Sequence, residues 1–240
     1  MTMALPWRMA WRIARRDLSA RLRGLRLLLA CLFLGVGMLA AIGTLTGSIE
    51  RELTLRGREI LGGDIEVRVW QRGLSPQETA FMPQFGRTST GYRMQAIAVN
   101  GEASAPIALK AVDANWPMVG RLVLQDGRRV GAPGDGAIYL SKGTAERLEV
   151  RPGGTVTVGG APLKVGGIIA SEPEMLAEGF NLGNVAIVSR AMPERAGLTS
   201  PGAMFQTKTR VLLPSGADPK AATEAIEAAF PSAGFEFRTR

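Results

Sequence analysis

Side chains that commonly carry chemistry are scarce in this chain, and their spacing limits them further. There is no histidine, and the single cysteine, Cys31, sits in an apolar run. That excludes a histidine-based zinc site, a Ser/His or Cys/His nucleophile and an intrachain disulfide. A serine nucleophile would need a lysine, and the candidate pair, Ser141 and Lys142, is adjacent in sequence. Neighbours on a helix do not face each other, so Ser141 reads more simply as a helix cap. Glu172-Pro173-Glu174 is the second candidate. Residues two apart on an extended chain point to one side, so the two carboxylates can converge on a metal or form an acid–base pair. No third ligand lies close in sequence, and the favoured reading is a solvated loop. Gly62-Gly63-Asp64 reads as a helix stop followed by a strand start. The chain contains no GxxxxGK[ST] phosphate loop and no GxGxxG after a strand, so ATP-driven work must come from another polypeptide. No catalytic, cofactor-binding or metal-binding residue is assigned, no cofactor is expected, and the chain reads as a non-enzyme.

The elements that position these residues are organised by an uncharged stretch, Leu27 to Ile49. A helix needs about 20 apolar residues to cross a bilayer core, and this run is long enough. Residues 1–26 carry seven arginines against Asp17, residues 27–61 are balanced, and residues 62–240 carry nineteen basic against seventeen acidic side chains. The net charge of +8 is therefore concentrated beside the apolar run, where anionic lipid attracts it, and not on a nucleic-acid-binding surface. Basic excess marks the cytoplasmic side. The expected layout is a cytoplasmic or interfacial amphipathic helix over 1–26, a transmembrane helix over 27–49, a stalk over 50–61 and an extracytoplasmic domain over 62–240. Arg15-Arg16 and Leu28-Leu29-Ala30-Cys31 suggest a cleaved or lipidated signal, but the apolar run exceeds a signal core and no A-x-A site follows. Gly37, Ala40, Ala41, Thr44 and Ser48, with a GxxxG at Gly43 and Gly47, form a small-residue face suited to another membrane helix.

Beyond the stalk, Gly62-Gly63 predicts a helix stop and Asp64–Val69 alternates as a strand. Ser75-Pro76-Gln77-Glu78 predicts a capping box. Met94–Val99 and Pro106–Val112 read as a hairpin turning near Asn100-Gly101. Residues 113–135 read as loop with one strand. A strand at Ala137–Leu140, a helix from Ser141 to about Leu148 and strands at Thr155–Val158 and Leu163–Ala170 follow. Ser171–Gly183 reads as an exposed loop. Val185–Val188 and Ala203–Leu213 read as strands, Asp218-Pro219 caps a helix to about Phe230, and Phe235–Arg238 reads as a last strand. The fold class expected is α+β, a mixed extracytoplasmic domain of two lobes without a sequence repeat.

Several of these segments resemble a known family when taken in order. They are Ile60-Leu61-Gly62-Gly63-Asp64-Ile65, Leu109-Lys110-Ala111-Val112-Asp113 followed by Trp116-Pro117-Met118-Val119-Gly120, Ile168 to Glu174, Ser200-Pro201-Gly202 and Phe230-Pro231-Ser232-Ala233-Gly234. Together with the arginine-rich first helix and one span, the chain resembles the N-terminal portion of ABC transporter permeases of the MacB/LolC/FtsX superfamily, most of all the large permeases of the YbbP type. It departs from them at Glu174, where an aspartate is expected, and at Gly183-Asn184-Val185, where a G-P-R is expected. The resemblance implies a bacterial inner-membrane permease component, N-terminus cytoplasmic and residues 50–240 periplasmic. A separate ABC ATPase subunit would drive the outside domain by mechanotransmission to export or extract a hydrophobic substrate. Implied partners are that ATPase, further transmembrane helices or a second permease copy, and membrane lipids, with no nucleic acid. Family members continue into several more spans, so this chain reads as a fragment or truncated form. The alternative is a single-span envelope protein whose outer domain binds a lipid or protein partner without an ATPase.

Overall fold

The computed structural model describes residues 11, 28–44, 57–58, 61–174 and 184–240. The chain divides into two compact units, Met1–Leu53 and Thr54–Arg240. In the first, residues 28–44 are helical (α1), and every side chain along this stretch is exposed, as a run of Leu, Val, Phe and Ile without a core of its own must be. No helix among the described residues is long and apolar enough to cross a membrane. The expected interfacial helix, apart from helical Trp11, the end of the expected span and most of the stalk, residues 45–56 and 59–60, and residues 175–183 of the expected loop lie outside the described residues.

The second unit is built on one continuous eleven-stranded sheet. Its strands are β1 (Ile65–Trp70), β2 (Arg87–Asn100), β3 (Ala103–Val112), β4 (Leu122–Leu124), β5 (Arg129–Val130), β6 (Ala137–Ser141), β7 (Thr155–Val158), β8 (Ala161–Ser171), β9 (Val185–Ser189), β10 (Phe205–Leu212) and β11 (Glu236–Thr239). The helices are α2 (Pro76–Phe81), continued by a 3-10 turn Met82–Phe85, then α3 (Lys142–Arg147), α4 (Ala191–Arg195) and α5 (Pro219–Ala229). The expected strands are all present. β2 begins earlier than the hydrophobic pattern indicates, and the stretch read as loop with one strand holds the short β4–β5 hairpin.

The strand order β11-β1-β10-β2-β3-β9-β6-β8-β4-β5 hides a ring. The far end of β2 also pairs with β7, through Ala98 with Val158 and Val99 with Thr157, and β7 pairs with β8. β2, β3, β9, β6, β8 and β7 therefore close on themselves, and closure removes exposed edges. Ala98, Ile107, Leu109, Ile138, Leu140, Val156, Val165 and Val188 fill the ring, with Leu148 and Met192 packed in from beside α3 and from α4. The near half of β2 extends out of the ring to join β10, β1 and β11 in an open wing. On one face of the wing Ile65, Val67 and Val211 pack against Met82, Ala222 and Ile226 of the helices. The expected two lobes are not separate: ring and wing share β2 within a single compact unit, and its buried apolar side chains form three clusters, in the ring, on the helix face of the wing and around Trp116.

Local signals account for the joints. Ser75 Oγ accepts from Glu78 N while Glu78 Oε2 accepts from Ser75 N, at 3.2 and 2.7 Å, the reciprocal capping box the sequence encodes. Asp218 caps α5 by accepting from Lys220 N at 2.9 Å. The β2–β3 loop is the two residues Gly101-Glu102, between paired Asn100 and Ala103, with Gly101 at φ 60°. Ser141 occupies the N-cap position of α3, but its hydroxyl makes no cap bond to the helix backbone. It bonds instead to Thr144 Oγ1 at 2.9 Å.

Candidate functional site

The other face of the wing is built from the alternate residues of the same strands. Antiparallel register places Glu66 opposite Arg210, Arg68 opposite Lys208 and Gln206 opposite Arg93, and Arg93 in turn lies opposite Lys110 of β3. Directly paired residues share a face, so β1, β10, β2 and β3 present a row of charge. These side chains are not solvated. Glu66, Arg68, Lys110, Lys208 and Arg210 are all buried, and Lys110 is 1% exposed.

The segment read as a solvated loop closes over this row. Glu172 and Glu174 are buried, at 9% and 3% exposure, which corrects that reading. Their carboxylates do converge, as two-residue spacing allows, and what they converge on is the Lys110 ammonium. Lys110 Nζ pairs with Glu172 Oε1, and with Glu174 Oε2 at 3.0 Å. Glu174 Oε2 also lies 2.9 Å from Arg210 and 3.8 Å from Arg93, while its Oε1 accepts from Trp116 Nε1 at 3.0 Å. The same ammonium stands 4.7 Å from the Trp116 ring centroid, within cation–π range. Desolvating two carboxylates costs several kcal/mol per ion unless opposite charges and donors surround them. Here they are surrounded, and that is why the segment folds inward.

The end of the stalk belongs to the same node. Gly62 N bonds to Arg58 O at 2.8 Å, ending the helix with Gly62 in the left-handed region at φ 74°. A Cβ built on Gly62 would stand 2.3 Å from Glu174 Oε1, so glycine is needed there for space as well as conformation. Arg210 donates from Nε to Leu61 O at 2.7 Å and pairs with Glu66 at 3.1 Å. Asp64, wholly buried, is bridged by Arg58 at 2.7 Å and by Arg240, and accepts from Leu213 N at 2.9 Å. Arg68 also pairs with Glu66. Burial alone would raise the Glu66 pKa, but Arg210, Lys208 and Arg68 outweigh it and hold the carboxyl below the ordinary carboxylate range.

Three segments singled out in the sequence, Gly62-Gly63-Asp64, Lys110 to Trp116 and Glu172 to Glu174, therefore meet in one buried cluster. Asp113, from the second, reaches back to β2, accepting from Ser89 Oγ at 2.7 Å and Thr90 N at 2.6 Å. The Ser141–Lys142 pair is not part of the node. Lys142 Nζ lies 3.8 Å from Glu146, and Ser141 is engaged by Thr144 as described. No group of three or more His, Cys, Asp or Glu able to hold a metal occurs among the described residues. The cations Arg93, Lys208 and Arg210 escape sequence reasoning because charge on a half-polar strand reads as a solvated face. Lys110 left a signal: one lysine inside the apolar run Ile107 to Val112 must find a partner.

The fold of this domain matches those of known extracytoplasmic transporter domains. The periplasmic region of MacB from Actinobacillus actinomycetemcomitans superposes with a TM-score of 0.53 at 14% identity, over 78% of this chain and 93% of that one. The extracellular domain of the ABC-type transporter YknZ from Gram-positive bacteria gives 0.50 at 16% identity, over 73% of this chain and all of that one. At such identities the likeness is one of fold. The MacB-like periplasmic core domain model matches residues 27–229, and the chain belongs to that family, the MacB-like ABC transporter permeases. A relative by sequence is the ABC transporter permease YbbP of Escherichia coli (strain K12), 25% identical over 173 residues, which are 71% of this chain and 21% of that protein. The chain thus spans about a fifth of this relative's length.

Proposed function

We propose that the chain is the membrane-entering and extracytoplasmic part of a permease in which a separate cytoplasmic ATPase moves the outer domain through the stalk. On this reading the N-terminus is cytoplasmic, Leu27–Ile49 spans the membrane, and the domain beyond it performs export or extraction of a hydrophobic substrate without chemistry of its own. The observation that carries the proposal is the node itself. Arg58 and Gly62, at the end of the stalk, are bound to Asp64 and packed on Glu174. Glu174 is tied to β3 through Lys110 and to β10 through Arg210. A displacement of residues 58–62 therefore cannot be absorbed locally; it must either break buried ion pairs or move the sheet. Such stiffness suits a lever: a continuous helix over 27–61, as the sequence leads one to expect, would extend about 50 Å at 1.5 Å per residue.

The test is to isolate the protein from its native membranes with its neighbours crosslinked. The expected result is an ABC ATPase subunit in the complex, whose hydrolysis is no longer coupled to movement of the outer domain in Arg58→Ala. Recovery as a membrane monomer or homodimer with no nucleotide-binding subunit would replace this reading with the single-span binding protein.

A further inference from the structure

Beside the node, on the same face of the sheet, lies a cavity of about 550 Å³, within the size range of small-molecule sites. Strand pairing fixes which side chains share that face. Trp70 stands opposite Gln206 and Gln206 opposite Arg93, Val185 is paired with Ala108, and Ile169 with Ser141. Met204, two residues before Gln206, falls on the same side by alternation. The apolar lining on this face is Trp70 and Met204, 53% and 69% exposed, with Ala108, Ile169 and Val185. Met94 and Leu109 point the other way, into the ring core. The cations of the wall are already engaged: Lys110 by Glu172 and Glu174, Arg93 by Glu174, Lys142 by Glu146, and Lys208 by the charge of Glu66. Gln206 differs from them. It is 7% exposed and lines the cavity, and its side-chain amide has no hydrogen-bond partner among the described residues.

We propose that this cavity binds an uncharged single-chain amphiphile, whose hydroxyl or amide head pairs with Gln206 and whose hydrocarbon chain lies against Ile169, Val185, Met204 and Trp70. The Gln206 amide offers two donors and an acceptor, and leaving such a group buried and unpaired is costly. A head that both donates and accepts is what it lacks. A plain hydrocarbon leaves that amide unmet. A carboxylate or phosphate has to draw a cation from its present partner and approach Glu172, which also lines the cavity. The site belongs to the folded domain and does not rest on coupling to an ATPase. Its failure leaves the permease reading standing, and absence of an ATPase subunit leaves the site in place.

Trp70 supplies the readout. The full chain in phosphatidylcholine nanodiscs is titrated with 11-bromoundecanol, whose bromine quenches a tryptophan in contact, and concentrations are referred to free probe. Subtracting the same titration of Trp70→Phe removes the contributions of Trp7, Trp11 and Trp116. The expected difference signal is saturable, and half-saturation requires roughly tenfold more 1-bromoundecane, the discrimination that one hydrogen bond provides. In Gln206→Leu this preference should vanish, the alcohol falling to the level of the bromoalkane. That variant should unfold no earlier than the parent, because its amide has no protein partner to lose. Met204→Glu should weaken alcohol and bromoalkane alike. A signal that does not saturate would mean that the cavity holds only water. That result, tighter binding of 11-bromoundecanoate than of the alcohol, or an undiminished preference for the alcohol in Gln206→Leu would each overturn the proposal.

Discussion

The two faces of the wing are made by the same strands and are both buried, yet they are held in different ways. Ile65 and Val67 of β1 point into helices α2 and α5, while Glu66 and Arg68, their immediate neighbours, point into the ionic node. On the first face burial is non-directional and roughly proportional to area, so many apolar side chains of similar volume would serve. On the second, each carboxylate needs particular donors: Glu174 alone is met by Lys110, Arg210 and Trp116. Buried ion pairs add little net stability over an apolar core, but losing one partner is costly. The helix face therefore stabilises the wing, and the charged face dictates what docks on it and in which register. Two distant segments, the stalk end and the Glu172–Glu174 segment, are fixed to the sheet by that second face.

This contrast is broken most severely at Lys110. Lys110→Ala leaves Glu172 and Glu174 buried without their ammonium and should cost roughly 3–5 kcal/mol, read as a lowered unfolding midpoint with Trp116 fluorescence as the probe of the node. Replacing all three charges together, Lys110→Met with Glu172→Gln and Glu174→Gln, should recover part of that loss, because no carboxylate is left buried without its ammonium and Arg210 keeps Glu66. A triple variant as unstable as the single one would mean the node is held by shape and not by charge. On the apolar face Ile226→Val should cost only about 0.5–1.5 kcal/mol, and no change elsewhere should rescue it, since it removes volume and strands no partner. Additivity of Ile226→Val with Lys110→Ala would show that the faces are independent.

The apolar face is also the one that sequence periodicity reveals. Alternation in residues 64–69, the capping box at Ser75 and the cap at Asp218 are local, and each produced the element expected. The node is not local. Glu172 finds Lys110 sixty-two residues away, and nothing near Glu172-Pro173-Glu174 announces a buried lysine. The near half of β2, Arg87-Thr88-Ser89-Thr90, looks like loop because its polar groups are satisfied by distant partners: Ser89 by Asp113 and Thr90 by Thr209. α4, five residues long, is too short to carry a period. Closure of the ring through β7 depends on the far end of β2 reaching a strand that starts fifty-five residues later, which no spacing rule encodes. Family resemblance did mark the right segments, but as landmarks in order, not as parts of one cluster.

The smallest effect, and the finest separation of the two faces, lies in pH dependence. The Glu66 carboxyl titrates below its ordinary value of 4.5 in the folded protein, because Arg210, Lys208 and Arg68 outweigh the desolvation that opposes them. A depressed folded pKa means that the unfolded chain takes up the proton first as pH falls. The stabilisation is therefore fully present above about pH 4.5 and is lost progressively as pH drops through the folded value. One group can contribute at most about 1.4 kcal/mol per pH unit to this slope. Denaturation measured between about pH 3 and 6 should then give a shallower acid loss in Glu66→Gln than in the parent, whatever the offset in stability at neutral pH. Ile226→Val should keep the parental slope unchanged, since it alters only volume inside the apolar cluster and changes no titratable group. Equal slopes in the parent and in Glu66→Gln would mean that Glu66 is not held as the anion by its arginines. The row of charge across β1 and β10 would then have to be redrawn with a neutral acid at its centre.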